Sequence, residues 1–290
     1  MKKSLVLGFF DGVHKAHKAV IQSAFESCDN VTVVTFKESP AVYFQGNAEY
    51  IYSRKESIEK IKSLGVNEVV ELDFPSIAGM EAEYYLKYLI DTYSPISIST
   101  GFNHTFGLNK KGNPQFLREN QEKFNYKYIC VPQINDGEDI VSSTIIKKYL
   151  QEGRVDRANE LLESNFVLEG KVIHGAKIGR TIGFPTANIK YPKEIVKLPF
   201  GVYCVSLALR EREGGRGQLK PAIMNWGMKP TVHNTVEPVV EVHILNFEGD
   251  LYGEDIRVEV LNQIRPEQKF SNLEDLKKQI EKDIKKCSEL

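Results

Sequence analysis

Ser4-Leu5-Val6-Leu7-Gly8-Phe9-Phe10-Asp11-Gly12-Val13-His14-Lys15-Ala16-His17 opens the chain's first folding unit. The segment Ser4–Phe9 is dominated by apolar residues, as in a buried β-strand. Asp11-Gly12 is a turn dipeptide, and from His17 to Phe25 the apolar residues return at helical spacing. Strand, tight turn and helix in that order begin a βαβ unit. His14 and His17 then fall at the first turn of the helix, where unpaired backbone N–H groups and the helix dipole favour a phosphate. Two imidazoles there can donate hydrogen bonds to a phosphate under attack, which is electrostatic stabilisation and not nucleophilic catalysis. Taken alone, a His-x-x-His pair also fits two surface histidines at a helix start.

The rhythm continues to about residue 150. Val31–Phe36, Glu68–Leu72, Ile96–Thr100 and Tyr126–Val131 read as strands, and Ser53–Ser63 and Glu81–Thr92 as helices. Alternating strands and helices predict an α/β, Rossmann-like domain: a parallel sheet covered by helices, with ligands at the carboxyl ends of its strands. From residue 166 short strands dominate instead: Val167–Ile173, Gly201–Leu209, Lys220–Asn225, Val239–Ile244 and Ile256–Ile264. Turns such as Glu213-Gly214-Gly215-Arg216-Gly217 separate them, the pattern of an antiparallel β-barrel or sandwich. A terminal amphipathic helix, Leu273–Lys286, carries Leu273, Leu276, Ile280 and Ile284 on one face, with Asn272 or Ser271 as its N-cap. The division expected is 1–150, a helical connector 151–165, and 166–290, with the two halves packed and not tethered.

Composition bounds the rest. The 290 residues suffice for two domains with real cores, and 41% hydrophobic with 27% charged residues is ordinary for a globular protein. A net charge of −1 gives no global electrostatic case for nucleic-acid or membrane binding. No apolar run reaches membrane-span length. The start Met1-Lys2-Lys3-Ser4 resembles a signal peptide, but the apolar run breaks at Asp11 and His14 without a small-residue cleavage site. Cys28, Cys130, Cys204 and Cys287 are scattered with no CxxC pair, which argues against a disulfide framework or a zinc site and for a reduced cytoplasmic setting.

Several motifs carry a family resemblance. Gly-x-Phe-Asp-Gly-Val-His-x-x-His, here Gly8, Phe10, Asp11, Gly12, His14 and His17, resembles the nucleotidylyltransferase signature of prokaryotic FAD synthetases. Gly101-Phe102-Asn103-His104-Thr105-Phe106-Gly107 resembles that family's Gly-x-Asn-Phe-x-Phe-Gly element, and Ser142-Ser143-Thr144 its Ser-Ser-Thr turn. The resemblance implies that Gly8, Phe10, Asp11, Gly12 and Asn103 help hold the nucleotide. Ser142, Ser143 and Thr144 would do so too, and hydroxyls at a helix start make independent sense as an anion site. The chain departs from the family at Ala16, where Gly is usual, at Lys147, where Arg is usual, and over Lys37, Glu38, Ser39 and Pro40, where Pro-His-Pro is frequent.

The second half resembles riboflavin kinases over nearly its whole length. Gly175-Ala176-Lys177-Ile178-Gly179-Arg180 offers backbone donors and two cations to phosphates, so Gly175, Lys177, Gly179 and Arg180 are candidate phosphate ligands. Gly183-Phe184-Pro185-Thr186-Ala187-Asn188 matches the family's ATP-binding motif. By that resemblance Pro185 lies at the ATP site, Thr186 ligates Mg²⁺, and Asn188 holds metal, phosphate or flavin. Asn225-Trp226-Gly227-Met228-Lys229-Pro230-Thr231 and Ile264-Arg265-Pro266-Glu267-Gln268-Lys269-Phe270 follow in the family's order. Alternation over Val239–Leu245 puts Glu241 and His243 on one face. Glu241 is the general base expected to take the proton of an attacking primary hydroxyl. His243 is a supporting or surface residue, and Arg265 either closes over the flavin or makes a surface ion pair.

The resemblance covers nearly the whole chain. It implies that ATP and Mg²⁺ convert riboflavin to FMN in the second half, and that the first half adenylylates FMN to FAD with release of pyrophosphate. Two alternatives stay open at this point. One is a riboflavin kinase with a degenerate adenylyltransferase domain, motivated by Ala16 and the loop after Phe36. The other is a flavin- or RNA-binding regulator without catalysis.

Overall fold

The computed structural model describes residues 2–175, 183–209, 218–230 and 236–288. The chain divides into two compact units, Met1–Ile145 and Ile146–Leu290. The turn 213–217 expected from the sequence lies outside the described residues.

In the first unit five parallel strands, β1 (Ser4–Leu7), β2 (Val31–Phe36), β3 (Glu68–Leu72), β4 (Ser97–Gly101) and β5 (Lys127–Val131), stand in the order β3-β2-β1-β4-β5. All four residues of the central strand β1 are buried. Successive side chains on a strand point to opposite faces, so β1 feeds two cores. Leu5 and Leu7 pack with Leu86 and Leu89 of the helix Ala82–Tyr93. Val6 packs with Ile21 and Ala24 of helix α1 (Lys15–Phe25). Strand order reverses between β1 and β4, and that switch point is where open α/β sheets leave a crevice beyond the strand ends. A two-stranded hairpin, β6 (Asn135–Asp136) with β7 (Asp139–Ile140), follows β5.

The second unit is an antiparallel sheet of β8 (Phe166–Lys171), β9 (Ala187–Ile189), β10 (Gly201–Leu209), β11 (Lys220–Pro230), β12 (Val236–Ile244) and β13 (Asp255–Pro266). Its order is β8-β13-β10-β11-β12-β9. The two edges meet: Ile173, just past β8, donates its N–H to the carbonyl of Asn188 in β9 at 2.8 Å. That bridge closes the sheet into a barrel and removes both exposed edges there. Tyr203, Val205, Met224, Val242, Val258 and Val260 fill the interior.

The terminal helix, Leu273–Ser288, covers the opposite face of β11 and β13 and packs on Val202 and Cys204 of β10. Asn272 caps it, its Oδ1 accepting from Asp275 N at 2.8 Å. Ile280 and Ile284 pack on a cluster that contains Val202, Cys204, Ile223 and Cys287. Leu273, assigned to that face by spacing, is 59% exposed: the helix begins before it reaches the barrel. Cys204 and Cys287 are joined by a disulfide across 83 residues, which corrects the expectation drawn from their scattered spacing. The three-residue strand β9 was not anticipated either. Its brevity hides it among the turn residues around it.

Candidate active sites

The first site lies at the switch point. The backbone leaves β1 through a strained turn, with Phe10 at φ 61°, Gly12 at φ 86° and Val13 at φ 44°. A branched residue such as Val13 in the left-handed region is costly, and such strain collects at functional turns. Gly8 is obligatory here, because a Cβ on it would stand 2.7 Å from the Phe10 ring. Asp11 locks the turn from behind: its carboxylate accepts from Ile51 N at 2.8 Å, and its carbonyl accepts from the Ser143 hydroxyl at 2.8 Å. The turn delivers His14 as the N-cap of α1.

The rings of His14 and His17 stack with centroids 3.6 Å apart. His14 Nδ1 accepts from His17 N at 3.4 Å, so the neutral ring carries its proton on Nε2. Burial lowers the His14 pKa to about 4, an effect that Lys18 reinforces against an opposing backbone hydrogen bond. Burial, with His14 adding to it, puts His17 well below its ordinary value as well. Both are therefore neutral donors at neutral pH. They line a cavity of about 410 Å³ together with Gly8 and Phe10 after β1, Asn103 after β4, and Ser142, Ser143 and Thr144. Ser142 Oγ accepts from Ile145 N at 3.4 Å and so caps the helix that Ser143 opens. Ala16 is on the same wall.

The second site is built on a row of side chains that crosses the barrel. Cross-strand partners in an antiparallel sheet share a face. Asn188 of β9 stands opposite Glu241 of β12, Glu241 opposite Asn225 of β11, Asn225 opposite Val202 of β10, and Val202 opposite Arg265 of β13. The expected alternation on β12 is observed: Val240, Val242 and Ile244 are buried, while Glu241 and His243 face a cavity of about 370 Å³. Thr186, Asn225 and Arg265 line that cavity too, as do Val202, Ile223 and Phe270. His243 is a support: its Nδ1 hydrogen-bonds the Pro185 carbonyl at 2.8 Å, and Phe184 sets its ring edge-on to the imidazole. Thr186 also lines a second, smaller cavity of about 60 Å³ beside Asp250 and Tyr252, so it stands between two hollows. Gly175 must be glycine, since a Cβ would lie 2.5 Å from the Asn188 amide. Lys177, Gly179 and Arg180 lie outside the described residues.

Known proteins match in the same two halves. The FAD synthetase family model covers residues 1–145 and the riboflavin kinase model residues 162–290. A bifunctional riboflavin kinase/FMN adenylyltransferase of Haemophilus influenzae is 31% identical over 97% of this chain and 92% of its own length. The enzyme of that name from Bacillus subtilis is 31% identical over 97% of this chain and 90% of its own. The chain belongs to the bifunctional riboflavin kinase/FMN adenylyltransferase family. A crystal structure from Streptococcus pneumoniae, titled as a macrolide-efflux protein, superposes with a TM-score of 0.88 at 31% identity, over 98% of this chain and 93% of that one. It contributes the fold and no activity.

Within the family frame, sequence reasoning missed four polar residues that line the cavity of about 370 Å³: Asn225, Glu267, Gln268 and Asp283. Asn225 had been quoted inside a motif, and only the β11–β12 register puts it beside Glu241. Asp283 had no signal at all, being one acid on a helix rich in charge.

Proposed function

We propose that the two units run successive ATP-dependent steps on one flavin, with residues 166–290 as the kinase, 1–150 as the adenylyltransferase and 151–165 as a helical connector. The observation that carries this reading is the cross-strand pair Glu241 and Asn225 lining a flavin-sized cavity with Thr186, in the same chain as a neutral histidine pair at a switch point. In the first step Glu241 accepts the proton of riboflavin's primary ribityl hydroxyl. The freed oxygen bonds to the γ-phosphorus of ATP, the bond to the bridging oxygen breaks, and FMN and ADP result.

In the second step the phosphate of FMN is itself the nucleophile, so no base is needed. Its oxygen attacks the α-phosphorus of a second ATP, and pyrophosphate leaves with FAD as the product. His14 donates its Nε2 proton, and His17 a ring proton, in hydrogen bonds to the charge that grows on the α-phosphate. Ser142 and Thr144, at the start of their helix, face the same anion.

The donor set suits a hard cation that is held largely by phosphate. Among the described residues no group of three or more His, Cys, Asp or Glu side chains could hold a metal. Asn188 Nδ2 donates to the Thr186 carbonyl at 3.3 Å, and the Asn188 amide oxygen and the Thr186 hydroxyl are the two neutral oxygens we assign to the cation. Two neutral oxygens and retained waters fit Mg²⁺, which would neutralise phosphate charge. Among the described residues no helix is long and apolar enough to cross a membrane. ATP-dependent flavin synthesis belongs in the cytoplasm, and that is the setting proposed. Incubating the chain with riboflavin, ATP and Mg²⁺ and separating the products should give both FMN and FAD. FMN alone would leave a kinase with an idle first unit, and neither product would leave a binding protein.

A further inference from the structure

The terminal helix contributes a carboxylate to the kinase cavity that the chemistry above does not use. Asp283 is 3% exposed, yet it lines that cavity. Arg265 Nε donates to its two oxygens at 3.2 and 3.0 Å, and Arg265 Nη2 lies 2.9 Å from Oδ2. Gln279 Nε2 donates to Oδ1 at 2.9 Å. The third guanidinium nitrogen, Nη1, donates to the Pro266 carbonyl at 3.1 Å, and the Phe270 ring lies 5.6 Å from Cζ. A guanidinium has five N–H donors, and three are engaged among the described residues. One remains on each terminal nitrogen.

Where those two donors stand follows from the sheet. Glu241 and Arg265 occupy the same transverse row, three strands apart through Asn225 and Val202. At about 4.8 Å per strand the separation along the sheet is about 14 Å. A riboflavin that offers its ribityl hydroxyl to Glu241 extends about that far in the other direction, and its far ring edge carries carbonyl oxygens. Val202, Ile223 and Phe270 line the apolar stretch between.

We propose that Asp283 is a positioning residue for riboflavin: it holds Arg265 so that the two remaining donors meet the carbonyl-bearing edge of the flavin ring. The inference rests on the kinase reading. Its energetic logic is that a planar fork fixed by a buried carboxylate loses little freedom on binding. The terminal helix thereby becomes part of the specificity apparatus as well as a cover.

Steady-state kinetics of the full chain test this. Asp283→Asn should raise the KM for riboflavin about tenfold, with kcat and the KM for ATP within about twofold of wild type, as for loss of uniform binding through a charged hydrogen bond. Arg265→Gln should do the same, and the double variant should be no worse than Arg265→Gln, because Asp283 acts through the guanidinium. Should Asp283→Asn prove unstable, Arg265→Lys carries the test: it keeps a charge opposite Asp283, loses the fork and must show the same rise in riboflavin KM. A fall in kcat with riboflavin KM unchanged, or losses that multiply in the double variant, would make the pair a pin for the helix and overturn the proposal. A wild-type chain that forms no FMN would defeat the kinase reading and this inference with it.

Discussion

His14 and His17 show how one residue pair can be read two ways until the backbone is known. As isolated letters they fit a wet helix start. The structure buries His14, stacks it on His17 and fixes its proton on Nε2. His14→Asn should therefore lower FAD formation from supplied FMN by about 10²-fold or more, the effect of losing one donor to developing charge, with FMN formation from riboflavin unchanged. Acid sensitivity follows from the same burial. His14 and His104 both have folded pKa values lowered to about 4 from 6.5, by burial first in each case. The unfolded chain takes up protons below pH 6.5 that the folded chain refuses until about pH 4, so stability present at pH 7 is lost as pH falls through that window. For His14 the loss is on the order of 3 kcal/mol. His104 stands where the family pattern has Phe, and its Nε2 is buried with no hydrogen-bond partner. His104→Phe should stabilise the first unit by about 1–3 kcal/mol and flatten its urea midpoint between pH 6.5 and 4. A midpoint no higher than wild type, with the same acid slope, would refute this.

At the scale of elements, long periodic segments were legible and short ones were not. Val31–Phe36, Glu68–Leu72 and Gly201–Leu209 fall where composition puts them, since branched and aromatic runs have no better use than a buried strand. β9 has three residues and no period to read, yet it closes the barrel and brings Asn188 to Glu241. Register decides the kinase site, and register depends on which strands are neighbours. The same holds for Cys204 and Cys287, which meet because the terminal helix returns to β10. Closing a loop of 83 residues restricts the unfolded chain by about 4–5 kcal/mol in the chain-entropy account. Cys287→Ser should lower the stability of the second unit by a substantial part of that under oxidising conditions, and little under reducing ones. Equal melting of both proteins in the oxidised state would contradict the crosslink's role.

For the whole molecule, the change of grammar near residue 166 was the decisive sequence signal for two kinds of fold in one chain; the compact units divide between Ile145 and Ile146, and the two family models cover 1–145 and 162–290. Motif order then identified both chemistries, while the roles of single residues had to wait for geometry: Asn225 and Asp283 emerge from the sheet and the terminal helix. The central claim is that each unit does its chemistry with its own residues. The most direct test is Glu241→Gln in the full chain, supplied in parallel with riboflavin or with FMN, each with ATP and Mg²⁺. From riboflavin, FMN and FAD should fall by about 10²–10⁴-fold, the contribution of a general base. From FMN, FAD should form at the wild-type rate. A parallel fall from both starting flavins in a folded protein would contradict the account, and so would undiminished FMN formation from riboflavin.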